Sequence, residues 1–275
     1  MRILSISLDQ TIANPNSSAA ERQRQYYREW NTEIIVLESG SEATTELESG
    51  IRVHVTGGRN KVVAFLRGWK LACQVADRGL DVVTAQDPLF CGIIGWRAAT
   101  RARARLIIQD HSGFFARQHF YTVDRLLAPL ARRLVRRADR VRTVSARGFR
   151  GLVACGVDPR RIDAIPIATN IDRFTDITLP PSAPNVLCIA RLEPEKGISI
   201  LLEAWRTVVS QVTDAKLRIV GDGSKRVALE DIASQMGISG SVEFIGKAED
   251  VRPHIAWAAI AVQPSFFEGW GIAVV

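Results

Sequence analysis

Long apolar runs are missing from this 275-residue chain. No stretch approaches the roughly 18 uninterrupted apolar residues of a membrane-spanning helix. The apolar opening after Met1 is short and reaches Asp9 at once, too short for a signal peptide, so no export signal is expected. Cysteine is scarce: Cys73, Cys91, Cys155 and Cys188 form no C-x-x-C pair and lie too far apart for a metal cluster. They read as small apolar residues of a reducing compartment, so a cytoplasmic protein is expected, attached at most to a membrane surface. No low-complexity segment and no fixed-period repeat is present.

What is present is an ordinary globular composition, 47% hydrophobic and 24% charged, long enough for two domains. The net charge is +7, and the excess is mostly arginine. Arginines crowd the stretch from Arg125 to Arg150, with Arg132, Arg133, Arg136 and Arg137 at its centre. A basic surface attracts phosphates of nucleic acid, lipid or substrate. No nucleic-acid-binding motif accompanies these arginines and no aromatics interleave them, so nucleic acid is not expected as a partner. An anionic membrane surface and a plain solvated helix face account for them equally.

Short apolar runs alternate with helical patterns. Strands are expected at 3–8, 33–37, 51–55, 82–85, 105–109, 140–144 and 162–165, with helices at 19–30, 62–76 and 123–137, one opening at Gln86-Asp87-Pro88, another after Ser145 ending near Gly156, and a loop at 9–18. Strand–helix alternation over this length means a parallel sheet with right-handed crossovers. A proline-rich stretch, Thr178 to Pro184, reads as a linker. The pattern then restarts, with strands at 186–190, 217–220, 242–245 and 260–263 and helices at 198–209 and 225–236. The expected fold class is α/β, with an N-terminal domain over 1–170, a linker over 171–185 and a C-terminal domain over 186–275.

Four clusters in the second half carry possible chemistry. Arg191 follows a strand and Lys196 precedes a helix, where ligands of parallel sheets bind and where helix amides suit phosphate. Taken alone, this cluster is better explained as solvated loop charges pairing with Glu193 and Glu195. Gly221-Asp222-Gly223 and the strand end Phe244-Ile245-Gly246 supply glycine where backbone turns tightly. The loop Ser265-Phe266-Phe267-Glu268-Gly269-Trp270-Gly271 sets a carboxylate beside amides that can face phosphate or sugar oxygens.

Taken together, in this order and spacing, the four clusters resemble the second domain of the retaining GT-B glycosyltransferases of family 4. The resemblance extends back through Val144-Ser145 and the segment from Ile165 to Phe174. In the first half, Ile107 to His111 is similar to the family's strand ending in a histidine that faces the sugar. The first loop, from Asp9 to Asn14, departs from the family's pattern in lacking a Gly-Gly pair. The resemblance implies two Rossmann-like domains facing across a cleft and transfer of a sugar from a UDP- or GDP-linked donor to a glycan or lipid-linked acceptor, in cell-envelope polysaccharide synthesis. It implies His111 and Glu268 as catalytic residues, and Arg191, Lys196, Gly221, Gly246, Gly269, Trp270 and Gly271 at the donor. Arg191 and Lys196 would stabilise the leaving diphosphate, so no metal ion is expected. The family's second glutamate lies eight positions after Glu268, past Val275, which implies that the sequence is a piece of a longer protein with its second domain incomplete.

Three other readings compete. An inactive fragment of such an enzyme shares every motif. A sugar-nucleotide epimerase shares the fold but needs different catalytic acids. A periplasmic sugar-binding protein needs an export signal. The set Arg191, Lys196 and Glu268 favours the transferase.

Overall fold

A computed structural model describes residues 1–115, 122–167, 171–178, 183–271 and 273. Parts of the expected linker and of the closing apolar run, including Ile272, Val274 and Val275, lie outside the described residues. The chain divides into two compact units, Met1–Pro166 and Ile167–Val275.

The first unit runs β1 (Arg2–Ser7), α1 (Ser18–Tyr27), β2 (Asn31–Val36), β3 (Ala43–Glu48), β4 (Ile51–Val55), α2 (Lys61–Asp77), β5 (Val82–Ala85), α3 (Phe90–Ala102), β6 (Arg105–Asp110), α4 (Thr122–Arg137), β7 (Arg140–Thr143), α5 (Ala146–Ala154) and β8 (Ile162–Ala164). Its sheet has the order β3-β4-β2-β1-β5-β6-β7-β8. Every pairing is parallel except β3 with β4. Ser145 and Asn60 cap α5 and α2, each accepting a backbone N–H three residues on. Asp87 does the same before α3, taking the amides of Leu89 and Cys91 at 2.7 and 3.0 Å. Residues of α2 to α5, among them Ala72, Ile94, Leu134 and Leu152, bury one face of the sheet, and α1 with Ile12 covers part of the other.

Two sequence expectations need correction here. The segment 9–18 is not all loop: Gln10–Ala13 forms a 3-10 turn, capped by Asp9. The sheet also carries an antiparallel edge strand, β3, that no apolar run announces. Its sequence Ala-Thr-Thr-Glu-Leu-Glu lies largely exposed, so burial left no hydrophobic signature on it. Gly50, at φ 87°, turns the chain back into β4.

The second unit runs β9 (Asn185–Ile189), α6 (Ile198–Gln211), β10 (Lys216–Val220), α7 (Arg226–Gln235), β11 (Val242–Gly246), α8 (Arg252–Trp257) and β12 (Ile260–Ala261). The sheet is parallel, in the order β11-β10-β9-β12. Its core gathers Leu192, Leu202, Trp205, Leu217 and Ile219, each nearly or fully buried. The short α8 was not expected from the sequence, since six residues show too little periodicity. Among the described residues, no helix is long and apolar enough to cross a membrane.

Candidate functional site

Strand order positions the site in the second unit. From β9 the chain crosses by α6 to β10 on one side, and later returns by α8 to β12 on the other. The loops after β9 and β12 therefore flank the point where the crossovers reverse, and such points open a crevice at the carboxyl ends of the strands. The first loop carries Arg191 to Gly197. The second carries Gln263 to Gly271.

The two loops are fitted together through backbone. Phe266 donates its N–H to the Glu195 carbonyl at 3.0 Å. Gly197 sits at φ 64°, and a Cβ there would lie 2.3 Å from the Pro264 carbonyl oxygen, so only glycine allows the approach. This packing carries Lys196 to Glu268: Nζ lies 2.7 Å from Oε1. The Lys196 side chain is 13% exposed and that of Glu268 27%, so the pair is partly desolvated. Gln263 Nε2 and the Ser265 hydroxyl also donate to Glu268 Oε1, each at 2.7 Å. All three donors converge on one oxygen. Burial acts to raise the Glu268 pKa, but the hydrogen bonds from Lys196, Ser265 and Gln263 and the Lys196 charge outweigh it and hold the carboxyl below its usual range. The group is a carboxylate at neutral pH.

Arg191 is placed differently. Its guanidinium is 68% exposed and donates to Glu195 Oε1 at 2.9 Å, while Glu195 itself is 11% exposed. The structure thus brings Lys196 and Glu268 together and leaves Arg191 on its own loop, paired four residues on. Glu195 Oε2 and the Trp270 ring N–H are buried without a partner among the described residues. Gly269 and Trp270 lie half-buried beside Glu268, and Gly271 adopts φ 73°.

Gly221 and Gly246 answer to packing. The Gly221 N–H donates to the Gly246 carbonyl at 2.8 Å, and a Cβ on Gly221 would meet the Ala190 carbonyl oxygen at 1.9 Å. The Gly221 amide is therefore engaged, and any ligand would meet this residue through its Cα.

His111 belongs to the first unit, immediately after β6. Gln86 stands in the same place after the adjacent β5, and the two side chains meet: His111 Nε2 lies 2.9 Å from Gln86 Oε1. Burial first, then the charges of Arg142 and Arg22, push the His111 pKa down to about 4. The imidazole is neutral at pH 7, and its Nε2–H donates to Gln86, leaving Nδ1 as the acceptor. Gln86, Gln263 and Ser265 are supporting residues to which the sequence patterns assign no individual role, although Ser265 opens the motif loop that carries Glu268. Their shared sequence signal is position, each within four residues after a strand.

The residue pattern matches known families in both halves. Residues 20–168 match the glycosyl transferase 4-like domain, and residues 183–275 match glycosyl transferases group 1. The chain belongs to the glycosyl transferase 4-like family. One relative of this glycosyl transferase 4-like chain is the GDP-mannose-dependent alpha-(1-6)-phosphatidylinositol monomannoside mannosyltransferase of Mycolicibacterium smegmatis, 31% identical over 64% of this chain and 48% of its own length. Another is the lipopolysaccharide core biosynthesis glycosyltransferase LpsE of Rhizobium meliloti, 34% identical over 37% of this chain and 28% of its own. The chain thus spans about half or less of the length of these relatives. In fold it is similar to Anabaena HepE, solved with UDP and glucose, with a TM-score of 0.75 at 17% identity over 100% of this chain and 77% of that one. The architecture is GT-B.

Proposed function

We propose that this chain forms the catalytic body of a retaining glycosyltransferase that moves a sugar from a UDP- or GDP-linked donor to a glycan or lipid-linked acceptor of the cell envelope, on the cytoplasmic side. The observation that carries the reading is the Lys196–Glu268 pair at the crossover reversal of the second sheet. Breaking a sugar–diphosphate bond leaves negative charge on the departing diphosphate and positive character on the sugar. A fixed ammonium beside a carboxylate suits both, because charges held in place cost no reorganisation as the bond breaks. Lys196, with the exposed Arg191, takes the diphosphate oxygens. Glu268 accepts from sugar hydroxyls through Oε2, which receives no hydrogen bond among the described residues, while Gln263 and Ser265 hold Oε1. His111 supplies a neutral acceptor nitrogen for a hydroxyl, its ring set by Gln86.

The activities for which these relatives are named, one on a phosphatidylinositol mannoside and one in lipopolysaccharide core synthesis, support an envelope acceptor. Incubation with a panel of nucleotide sugars, reading nucleoside diphosphate release and the anomeric configuration of the product by NMR, tests the reading. Release that is lost in Lys196→Ala, with the donor's configuration kept in the product, is expected. Inverted product would overturn the retaining assignment, and release unchanged in Lys196→Ala would overturn the site.

A further inference from the structure

The chain's positive charge is concentrated on one face. Helices α2 to α5 lie side by side on the same face of the first sheet, sharing one core. Phe65 of α2 meets Phe90 of α3 edge to face at 6.4 Å, and Arg137 of α4 lies over the Trp96 ring of α3 at 5.7 Å. Arg136 of α4 donates to the Cys155 carbonyl that closes α5, at 2.6 Å. These four helices hold twelve basic and two acidic residues. Their surplus of ten exceeds the +7 of the whole chain, so everything else is net acidic.

Few of these cations are neutralised. Arg101 pairs with Asp77, and Arg67 with Glu42. Among the described residues, no ion pair engages Lys61, Lys70, Arg97, Arg125, Arg132 or Arg133. Large apolar side chains stand exposed among them: Leu126 at 73%, Val62 at 66% and Leu66 at 59%, with Leu130, Phe90 and Trp96 less so. On α4 the division is sharp. Leu134 and Val135 are buried in the core over the sheet and Ala131 against Leu89 and Phe114, whereas Arg132, Arg133, Arg136 and Arg137 are exposed.

Cations alone serve any polyanion. Cations interspersed with exposed leucine, valine and aromatic side chains serve an anionic bilayer, where the charges meet headgroups and the apolar groups enter the boundary with the acyl chains. We infer that the face formed by α2 to α5 is a membrane-docking surface for anionic phospholipid. The inference goes beyond the sugar-transfer reading and does not depend on it.

Co-sedimentation with vesicles tests it on the protein as it stands. Vesicles containing phosphatidylglycerol bind the chain at low salt and release it at high salt, and pure phosphatidylcholine vesicles do not bind it. The double variant Arg132→Glu, Arg133→Glu lowers the partition coefficient by at least about tenfold. Leu126→Ser with Leu130→Ser lowers it several-fold with the charge unchanged. These four positions are exposed, and circular dichroism identical to the parent confirms that the variants fold. Arg160→Glu, on the turn after α5 and paired with Asp158, leaves partitioning unchanged as the control. Equal binding to both vesicle types, binding to neither, or binding indifferent to the Arg132 and Arg133 reversal overturns the inference. Loss with the arginines but not the leucines, together with competition by duplex RNA, overturns it in favour of a nucleic-acid surface. No outcome involves sugar transfer, so failure here leaves the Lys196 and Glu268 assignment where it stands.

Discussion

The carboxyl ends of the two sheets carry titratable groups with opposite electrical behaviour. In the second unit, Glu268 keeps its charge although it is partly buried, because Lys196, Ser265 and Gln263 all donate to it. In the first, His111 gives up its charge, because burial is reinforced by Arg142 and Arg22 and its hydrogen-bond partner Gln86 is a neutral amide. Burial alone opposes ionisation in both places. The surrounding partners decide which group stays charged, and the result is a fixed ion pair in one unit and a neutral acceptor in the other.

Acidification separates the two most strongly. The His111 pKa of about 4 lies below the ordinary 6.5, so the unfolded chain takes up its proton first as pH falls. The stability that neutral His111 contributes is complete above about pH 6.5 and is lost progressively toward pH 4, up to about 3 kcal/mol across the window. Denaturant unfolding at several pH values shows this slope in the parent and a flatter profile in His111→Gln. A slope unchanged by that substitution would place the titration elsewhere. The Glu268 contribution has the opposite origin and a lower window: it is present above the ordinary 4.5 and is lost only as pH drops through the depressed value. Glu268→Gln should therefore leave the pH 4.5 to 6.5 slope intact. It should also weaken donor-sugar binding by about 1.5–3 kcal/mol, since a charged acceptor becomes a neutral one. Calorimetry with a nucleotide sugar and with its nucleoside diphosphate measures the difference, and the loss should fall on the sugar nucleotide. The smallest effect belongs to Arg191→Ala. Its exposed bond to Glu195 is worth no more than about 1 kcal/mol of stability, so thermal melting should barely move.

Much of this was legible in advance because parallel sheets write themselves into sequence. The buried strands β1, β5, β9 and β10 are short apolar runs, and glycine marks the positions where neighbouring backbone leaves no room for a Cβ, as at Gly197 against Pro264 and Gly221 against Ala190. Strand β3 was hidden because it is exposed at the sheet edge and therefore polar. The pairing of Arg191 with Glu195 was open as an ordinary alternative, and it is the arrangement observed. The convergence of Gln263, Ser265 and Lys196 on one oxygen of Glu268 was not legible. Lys196 and Glu268 are 72 residues apart, and only the reversal of crossovers between β9 and β12 makes them neighbours.

The central claim, that the Lys196–Glu268 crevice receives a nucleoside diphosphate, is tested most directly by calorimetric titration of UDP and GDP into the protein and into Lys196→Met. The account predicts that one of the two nucleotides binds, and that Lys196→Met weakens it by roughly 10- to 150-fold while Lys61→Met, in the first unit, leaves it unchanged. Equal affinity in the protein and in Lys196→Met, or no binding of either nucleotide by the protein, would contradict it.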